Sequence, residues 1–436
     1  METATQAAVA PGTRPDRWRR PGTPHVVIVG GGFAGLYAAR ALRKAPVQVT
    51  VLDRRNHHLF QPLLYQVATA ALSPGDIAYP IRAVLARQAN TRVWLAEVVA
   101  VDLARRSVVL ADGELAYDFL ILAAGVCHGY FGHDEWAAVA PGLKSLEDAF
   151  EIRRRIISAF ELAEREADPE RQREKMTFAI VGGGPTGVEL AGAIAEIAGR
   201  VLRRDFRAID TRAARVLLIE AGSRILPAFP ETLSARAEES LARLGVEVWK
   251  RSPVTTIEPG RLVAGGKDVT VATILWAAGV VASPLAATLG VELDRAGRIP
   301  VQPDLTVSGH PDVLVAGDLA AFLHQTGKPL PGVAPVAIQQ GRHAARNIAR
   351  AVRGHPPLPF RYADRGNLAT IGRAAAVADV GGWRFSGYLA WLVWLFVHIF
   401  WLIGFRNRFV VLFEWAWAYL TYQRAVRLIT GAPAGR

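Results

Sequence analysis

The chain has 436 residues, enough for two or three domains of ~100–200 residues each. Hydrophobic residues make up 51% and charged ones 21%, which excludes disorder for most of the chain and leaves room for a sizeable core. The single cysteine, Cys127, excludes an internal disulfide, a dithiol redox centre and any metal cluster of several cysteines. Lysine and arginine exceed aspartate and glutamate by 12, a balance that asks for an anionic partner. Six of the eleven tryptophans fall between Trp383 and Trp417, so that partner is a membrane surface and not nucleic acid.

Residues 1–24 carry Arg14, Arg17, Arg19 and Arg20 among prolines, with no apolar stretch long enough for an export signal. They read as a disordered basic leader, with a very short transit peptide as the alternative. The first organised feature is an internal repeat: IVGGGFAG at 28–35 returns as IVGGGPTG at 180–187, 152 positions later. ILAAGV at 121–126 and LWAAGV at 275–280 follow nearly the same offset. Each half therefore begins and ends alike.

Each glycine cluster sits between a β-branched run and a helical pattern. In Gly30-x-Gly32-x-x-Gly35 and Gly182-x-Gly184-x-x-Gly187 the first glycine makes the turn and the second admits a pyrophosphate. The third lets the helix pack close to its strand, and the helix N-terminus offers unpaired N–H groups to phosphate. Both units close the next strand on an acid that can accept ribose hydroxyls, Asp53 after the first motif and Glu220 after the second. An arginine-rich insertion lengthens the second interval, and Arg224 stands close enough to receive a 2′-phosphate. The competing reading is a pair of glycine turns that only pack helix on sheet. Further on, Gly317-Asp318 ends another strand-like run, either as a cofactor hydroxyl contact or as an ordinary turn. The segment at 331–350 opens a helix on proline and small residues, its N-terminus suited to a flavin carbonyl.

These segments, with NHHLFQPLLYQVATAAL at 56–72 and GNLATIGRAAAV at 366–377, resemble the type II NADH:quinone oxidoreductases. The similarity runs from about Pro24 to about Ile429. It implies an α/β fold of two Rossmann-like dinucleotide-binding domains plus a C-terminal helical membrane-binding hairpin. It also implies a flavoenzyme of the respiratory chain that passes electrons from NADH through FAD to a membrane quinone without pumping protons. FAD then belongs at Gly30, Gly32, Gly35, Asp53, Gln61, Gly317, Asp318 and Ala337, and NADH at Gly182, Gly184, Gly187 and Glu220. Glu189, Gln339 and Gln340 are the implied catalytic residues at the ring and quinone, and no metal is called for.

The implied domains are 25–150 and 301–378 for FAD and the quinone segment, 151–300 for NADH, and 379–436 for the anchor. The implied location is the cytoplasmic side of an inner membrane; a homodimer is left open. The chain departs from the family pattern at Pro335, where many relatives carry glutamine, and at Arg365, where lysine is frequent. Arginine does not readily release a proton, so a proton-donor role there does not carry over. His57 and His58 read as satisfied structural histidines, and Cys127 as a small buried residue. A flavin- and NAD-binding redox sensor, or a reductase of a small soluble protein, are the alternatives.

The tail decides between membrane and core. Residues 387–405 carry no formal charge, and His398 is their sole basic side chain. A helix of that length reaches ~28 Å, just short of a bilayer core. A basic FRNR loop with Arg406 and Arg408 follows, then a second apolar stretch. A monotopic hairpin is the expected arrangement, with a spanning helix and a buried or dimerising pair as rivals.

Overall fold

The computed structural model describes Trp18 and residues 20–403, 405–421 and 426–430. Most of the expected leader and the chain end past Thr430 lie outside the described residues. The first half runs β1 (His25–Val29), α1 (Phe33–Ala41), β2 (Gln48–Asp53), α2 (Leu64–Ala68), β3 (Thr91–Leu95), β4 (Phe119–Leu122) and α3 (Leu146–Glu164). Next come β5 (Thr177–Val181), α4 (Pro185–Glu196), β6 (Arg215–Ile219), β7 (Val246–Trp249) and β8 (Thr273–Trp276). The chain then forms β9 (Thr306–Val307), β10 (His310–Val315), α5 (Ala334–Ala351), β11 (Asn367–Gly372), β12 (Ala375–Val380) and β13 (Trp383–Gly387). It finishes on α6 (Tyr388–Trp401) and α7 (Phe405–Thr421).

Two compact units result. Residues 1–58, 80–127 and 281–363 form the first; residues 59–79, 128–280 and 364–436 form the second. The first holds a sheet in the order β9-β10-β4-β1-β2-β3, parallel throughout except for β9 against β10. The second holds the parallel sheet β7-β6-β5-β8. Central strands of parallel sheets are covered on both faces, so β1 (HVVIV) and β5 (TFAIV) are buried along their whole length and show almost no alternation. The repeat extends past its glycines. A three-stranded antiparallel meander at 98–116 separates β3 from β4, and another at 254–270 separates β7 from β8.

The tail differs from its expected form. Residues 379–387 belong to β12 and β13 of a small antiparallel sheet in the second unit, so the helical part starts only at Tyr388. The uncharged stretch at 387–405 is not one helix. α6 has 14 residues and stops where Leu402 turns extended (ψ 133°). The FRNR motif, expected as a loop, opens α7. α6 rises about 21 Å against a bilayer core of ~30 Å. Among the described residues no helix is long and apolar enough to cross a membrane. The two helices are apolar on two sides for different reasons. Phe396, Phe400, Phe409 and Phe413 are about two-thirds exposed, while Trp394 and Trp415 are buried and face each other at 5.2 Å. Asn407 fastens the start of α7 by donating to the Gly75 carbonyl (3.1 Å).

Candidate functional site

The two glycine turns are built alike, atom for atom. The Gly30 amide donates to the Leu52 carbonyl (2.8 Å), and the Gly182 amide to the Ile219 carbonyl (2.7 Å). The Gly31 amide donates to Asp53 Oδ2 (2.6 Å), and the Gly183 amide to Glu220 Oε2 (2.7 Å). The other oxygen of each carboxylate accepts from an amide just beyond the strand, that of Arg55 (2.7 Å) or Gly222 (2.6 Å). The acid at each strand end therefore braces the turn while leaving further lone pairs for ribose hydroxyls. Arg224 donates to the carbonyls of Phe229 (2.8 Å) and Pro227 (2.9 Å), so the guanidinium is engaged away from Glu220.

The three glycines of each motif meet different surroundings. A methyl at Gly35 would lie 1.8 Å from the Gly30 carbonyl oxygen, and one at Gly187 would lie 1.9 Å from that of Gly182. At Gly32 and Gly184 a methyl would meet nothing within 4 Å. Closed third positions and open second positions are what close helix packing plus an approaching pyrophosphate require. Neither α1 nor α4 has a side-chain cap, so their first amides are available to phosphate. The turns fit dinucleotides.

In the first unit Ala34, Ala123, Ala316 and Ala337 pack together, and these small side chains let the starts of α1 and α5 converge near Gly317. Gly317 adopts φ +80° and donates its amide to Gln340 Oε1 (2.7 Å). Gln340 is buried and thus steadies the Gly317-Asp318 corner. Gln339 exchanges two hydrogen bonds with the Ala363 backbone (2.9 and 3.0 Å), so its amide holds a neighbouring segment. Pro335 occupies the first turn of α5, where its missing N–H removes no helical bond. His58 departs from the satisfied histidine expected. Its Nδ1 donates to the Gly31 carbonyl (3.0 Å), but Nε2 is buried without a protein partner. Burial pushes the imidazole down to about 4, which leaves Nε2 an acceptor for a hydroxyl of a bound cofactor. Cys127 is partly exposed, not buried.

In the second unit Gln61 donates to the Lys144 carbonyl (3.0 Å) from an exposed position. An open-mouthed cavity lies among α2, α4, β11 and the two tail helices. Gln66, Glu189, Thr370, Trp391, Trp394 and Trp415 line it. The Trp415 indole donates to Gln66 Oε1 (2.7 Å), and Gln66 Nε2 donates to the Tyr65 hydroxyl (2.9 Å). Partly buried Glu189 lines this space, and desolvation pushes its carboxyl up to about 8; the hydrogen bond with the Thr370 backbone pulls the other way. It is neither an exposed nor a capping carboxylate. Trp391, Trp394 and Trp415, read from sequence only as part of a membrane signal, supply cavity wall, while Trp383 and Trp417 are exposed. The i, i+3 spacing of Trp391 and Trp394 is the sequence signal for a shared helix face. Arg365 stands over the Trp401 ring at 5.7 Å.

Comparison with known proteins decides the family. The family model "Pyridine nucleotide-disulphide oxidoreductase" matches residues 24–341, and "NDH2 C-terminal domain" matches 365–423. The type II NADH:quinone oxidoreductase Ndh of Mycobacterium tuberculosis is 45% identical over 95% of this chain and 92% of its own. The chain belongs to the type II NADH:quinone oxidoreductases. Another member, from Staphylococcus haemolyticus, is 29% identical over 83% of this chain and 91% of its own. The fold matches that of NDH2 from Plasmodium falciparum solved in complex with NADH, with a TM-score of 0.85 at 19% identity. That match covers 94% of this chain and all of the other. The sulfide:quinone oxidoreductase of Aquifex aeolicus shares the fold at a TM-score of 0.69.

In this type II oxidoreductase the two kinds of glycine separate folding from binding. Gly32→Ala and Gly184→Ala, with ordinary φ near −70°, should leave the melting temperature of the cofactor-free chain within a few degrees. The first should lose bound flavin absorbance and the second NADH affinity, whereas Gly35→Ala should not yield folded protein. Glu189 adds a pH signature. Its unfolded carboxyl titrates at 4.5, so between there and about 8 the folded chain holds a proton the unfolded chain has released. That stabilisation declines as pH rises through the interval. Glu189→Gln should reduce the fall in melting temperature between about pH 5 and 8, and an unchanged slope would place the proton elsewhere.

Proposed function

We propose that this oxidoreductase binds FAD on the first unit at the Gly30–Gly35 turn, Asp53 and Gly317-Asp318, and NADH on the second at the Gly182–Gly187 turn and Glu220. The quinone headgroup sits in the tryptophan-lined cavity beside Glu189. The observation that carries the quinone assignment is that cavity: aromatic walls at Trp391, Trp394 and Trp415, an amide at Gln66 and the Glu189 carboxyl held neutral near pH 7, with Glu196, Arg200 and Arg373 also in its lining. Bound FAD supplies the redox chemistry, accepting a hydride from NADH and passing the electron pair onward. The residues of the chain supply position and a proton. Glu189 carries its proton at the carboxyl at working pH, where a reduced quinone oxygen can take it. Gln340 holds the Gly317 corner, and Gln339 ties α5 to Ala363. Trp391, Trp394 and Trp415 exclude water from the ring, and Gln66, fixed by the Trp415 indole, offers it polar atoms.

The outward phenylalanines of α6 and α7 support a monotopic association with a membrane surface, which we place at the cytoplasmic face of an inner membrane. They speak against a small soluble acceptor, which needs no such surface. The relatives' names span more than one quinone, since one from Synechocystis is a demethylphylloquinone reductase.

Stopped-flow mixing with NADH and then a short-chain quinone tests the reading. Flavin reduction should match wild type in Glu189→Gln, while reoxidation by quinone should slow by about two orders of magnitude. Flavin that NADH reduces but quinone does not reoxidise in the wild type would refute the activity itself. The membrane assignment has a separate check. Phe396→Glu, Phe400→Glu and Phe413→Glu together should abolish flotation with anionic liposomes. Turnover with a water-soluble quinone should persist.

A further inference from the structure

Phe131 stands at the surface with its ring tilted against that of Trp276 at 6.0 Å. Its backbone is left-handed, φ +53°, a conformation that bulky side chains avoid. The residue is 74% exposed. The short segment Gly129–Phe131 is pinned from below to the end of β8. Tyr130 stacks on Trp276 at 4.9 Å and donates its hydroxyl to the Ala140 carbonyl (2.9 Å), while the Trp276 indole donates to the Gly129 carbonyl (3.0 Å). With Tyr130 turned inward, Phe131 is turned out. Its ring lies across Gly279, where an added methyl would come within 2.7 Å of Cζ.

The position of this ring in the sheet is informative. The Ala277 backbone at the end of β8 is so close to Gly182 that a methyl there would lie 2.6 Å from it. Gly279 follows shortly after, so the ring stands at the carboxyl edge of the sheet, on the β8 side of the turn. Glu220 marks the opposite side, at the end of β6. Ligands of such sheets bind across that edge at the point where strand order reverses, here between β5 and β8. A dinucleotide whose adenosine ribose meets Glu220 and whose pyrophosphate meets α4 runs its other half toward β8. Half-exposed Val280 extends the apolar surface there.

We propose that Phe131 walls the nicotinamide half of the NADH site. The ring offers a flat apolar face to the flat nicotinamide, and the pinned, left-handed segment keeps it in place before the ligand arrives. This rests on the placement of NADH at the Gly182–Gly187 turn. Two probes separate the claims: NAD+, and ADP-ribose, which has the same adenosine and pyrophosphate without nicotinamide.

Dissociation constants of both are measured by calorimetry on wild-type, Phe131→Gly and Phe131→Leu holoenzymes, together with melting temperatures. Phe131→Gly should weaken NAD+ by about three- to tenfold and leave ADP-ribose unchanged. Its melting temperature should hold or rise, because glycine adopts the left-handed conformation freely. Phe131→Leu should fall between wild type and glycine for NAD+. Equal weakening of both ligands, with or without a lower melting temperature, marks a structural strap and overturns the proposal, as does an unchanged NAD+ affinity. A wild type that binds neither probe overturns the NADH placement, and this inference with it.

Discussion

A carboxylate that grips a backbone amide holds both halves of this protein in working shape. Asp53 and Glu220 each stand at the end of a buried parallel strand and accept from the middle residue of the glycine turn beside them. A charge-assisted bond of this kind is shorter and stronger than a neutral one, and here it fixes a peptide plane that glycine would otherwise leave free. With that plane set, the next amides of the helix point out of the protein and not into it. The phosphate cradle, the helix start and the approach of the neighbouring strand all follow from the same two atoms.

The second constraint is smallness. Alanines at 34, 123, 316 and 337 allow two helix starts to approach one corner of the first unit. A larger residue at any of these positions would push the amides apart and dilute their combined field. The buried Gln340, accepting from the Gly317 amide, sits behind this corner as a support. At this corner a polar interior side chain holds backbone in place.

The duplicated turns are legible in sequence because their causes are local: β-branched run, three glycines, apolar helix, acid. What is not legible depends on distance along the chain. Glu189 is reached only through the family resemblance, because nothing near it in sequence announces Thr370 or Trp394, which line the same cavity from the far end of the chain. The meanders at 98–116 and 254–270 escape a sequence reading because each strand is so short. The uncharged stretch at 387–405 looks like one long helix on hydropathy alone. The break at Leu402 is a backbone event, and hydropathy does not record it. His58 escapes for a related reason, since the orphaned nitrogen on its far side becomes visible only once the Gly31 carbonyl is seen to occupy the near one.

The two-sided tail has a consequence for how substrate is counted. α6 and α7 turn phenylalanines outward and tryptophans toward the cavity within the same few turns. On the proposed membrane association, a quinone dissolved in lipid meets the protein in two dimensions, and its effective concentration is a mole fraction in the membrane. An apparent Michaelis constant expressed per litre of water then measures partitioning as much as affinity. Diluting the lipid phase with detergent would raise that constant although no contact in the cavity had changed.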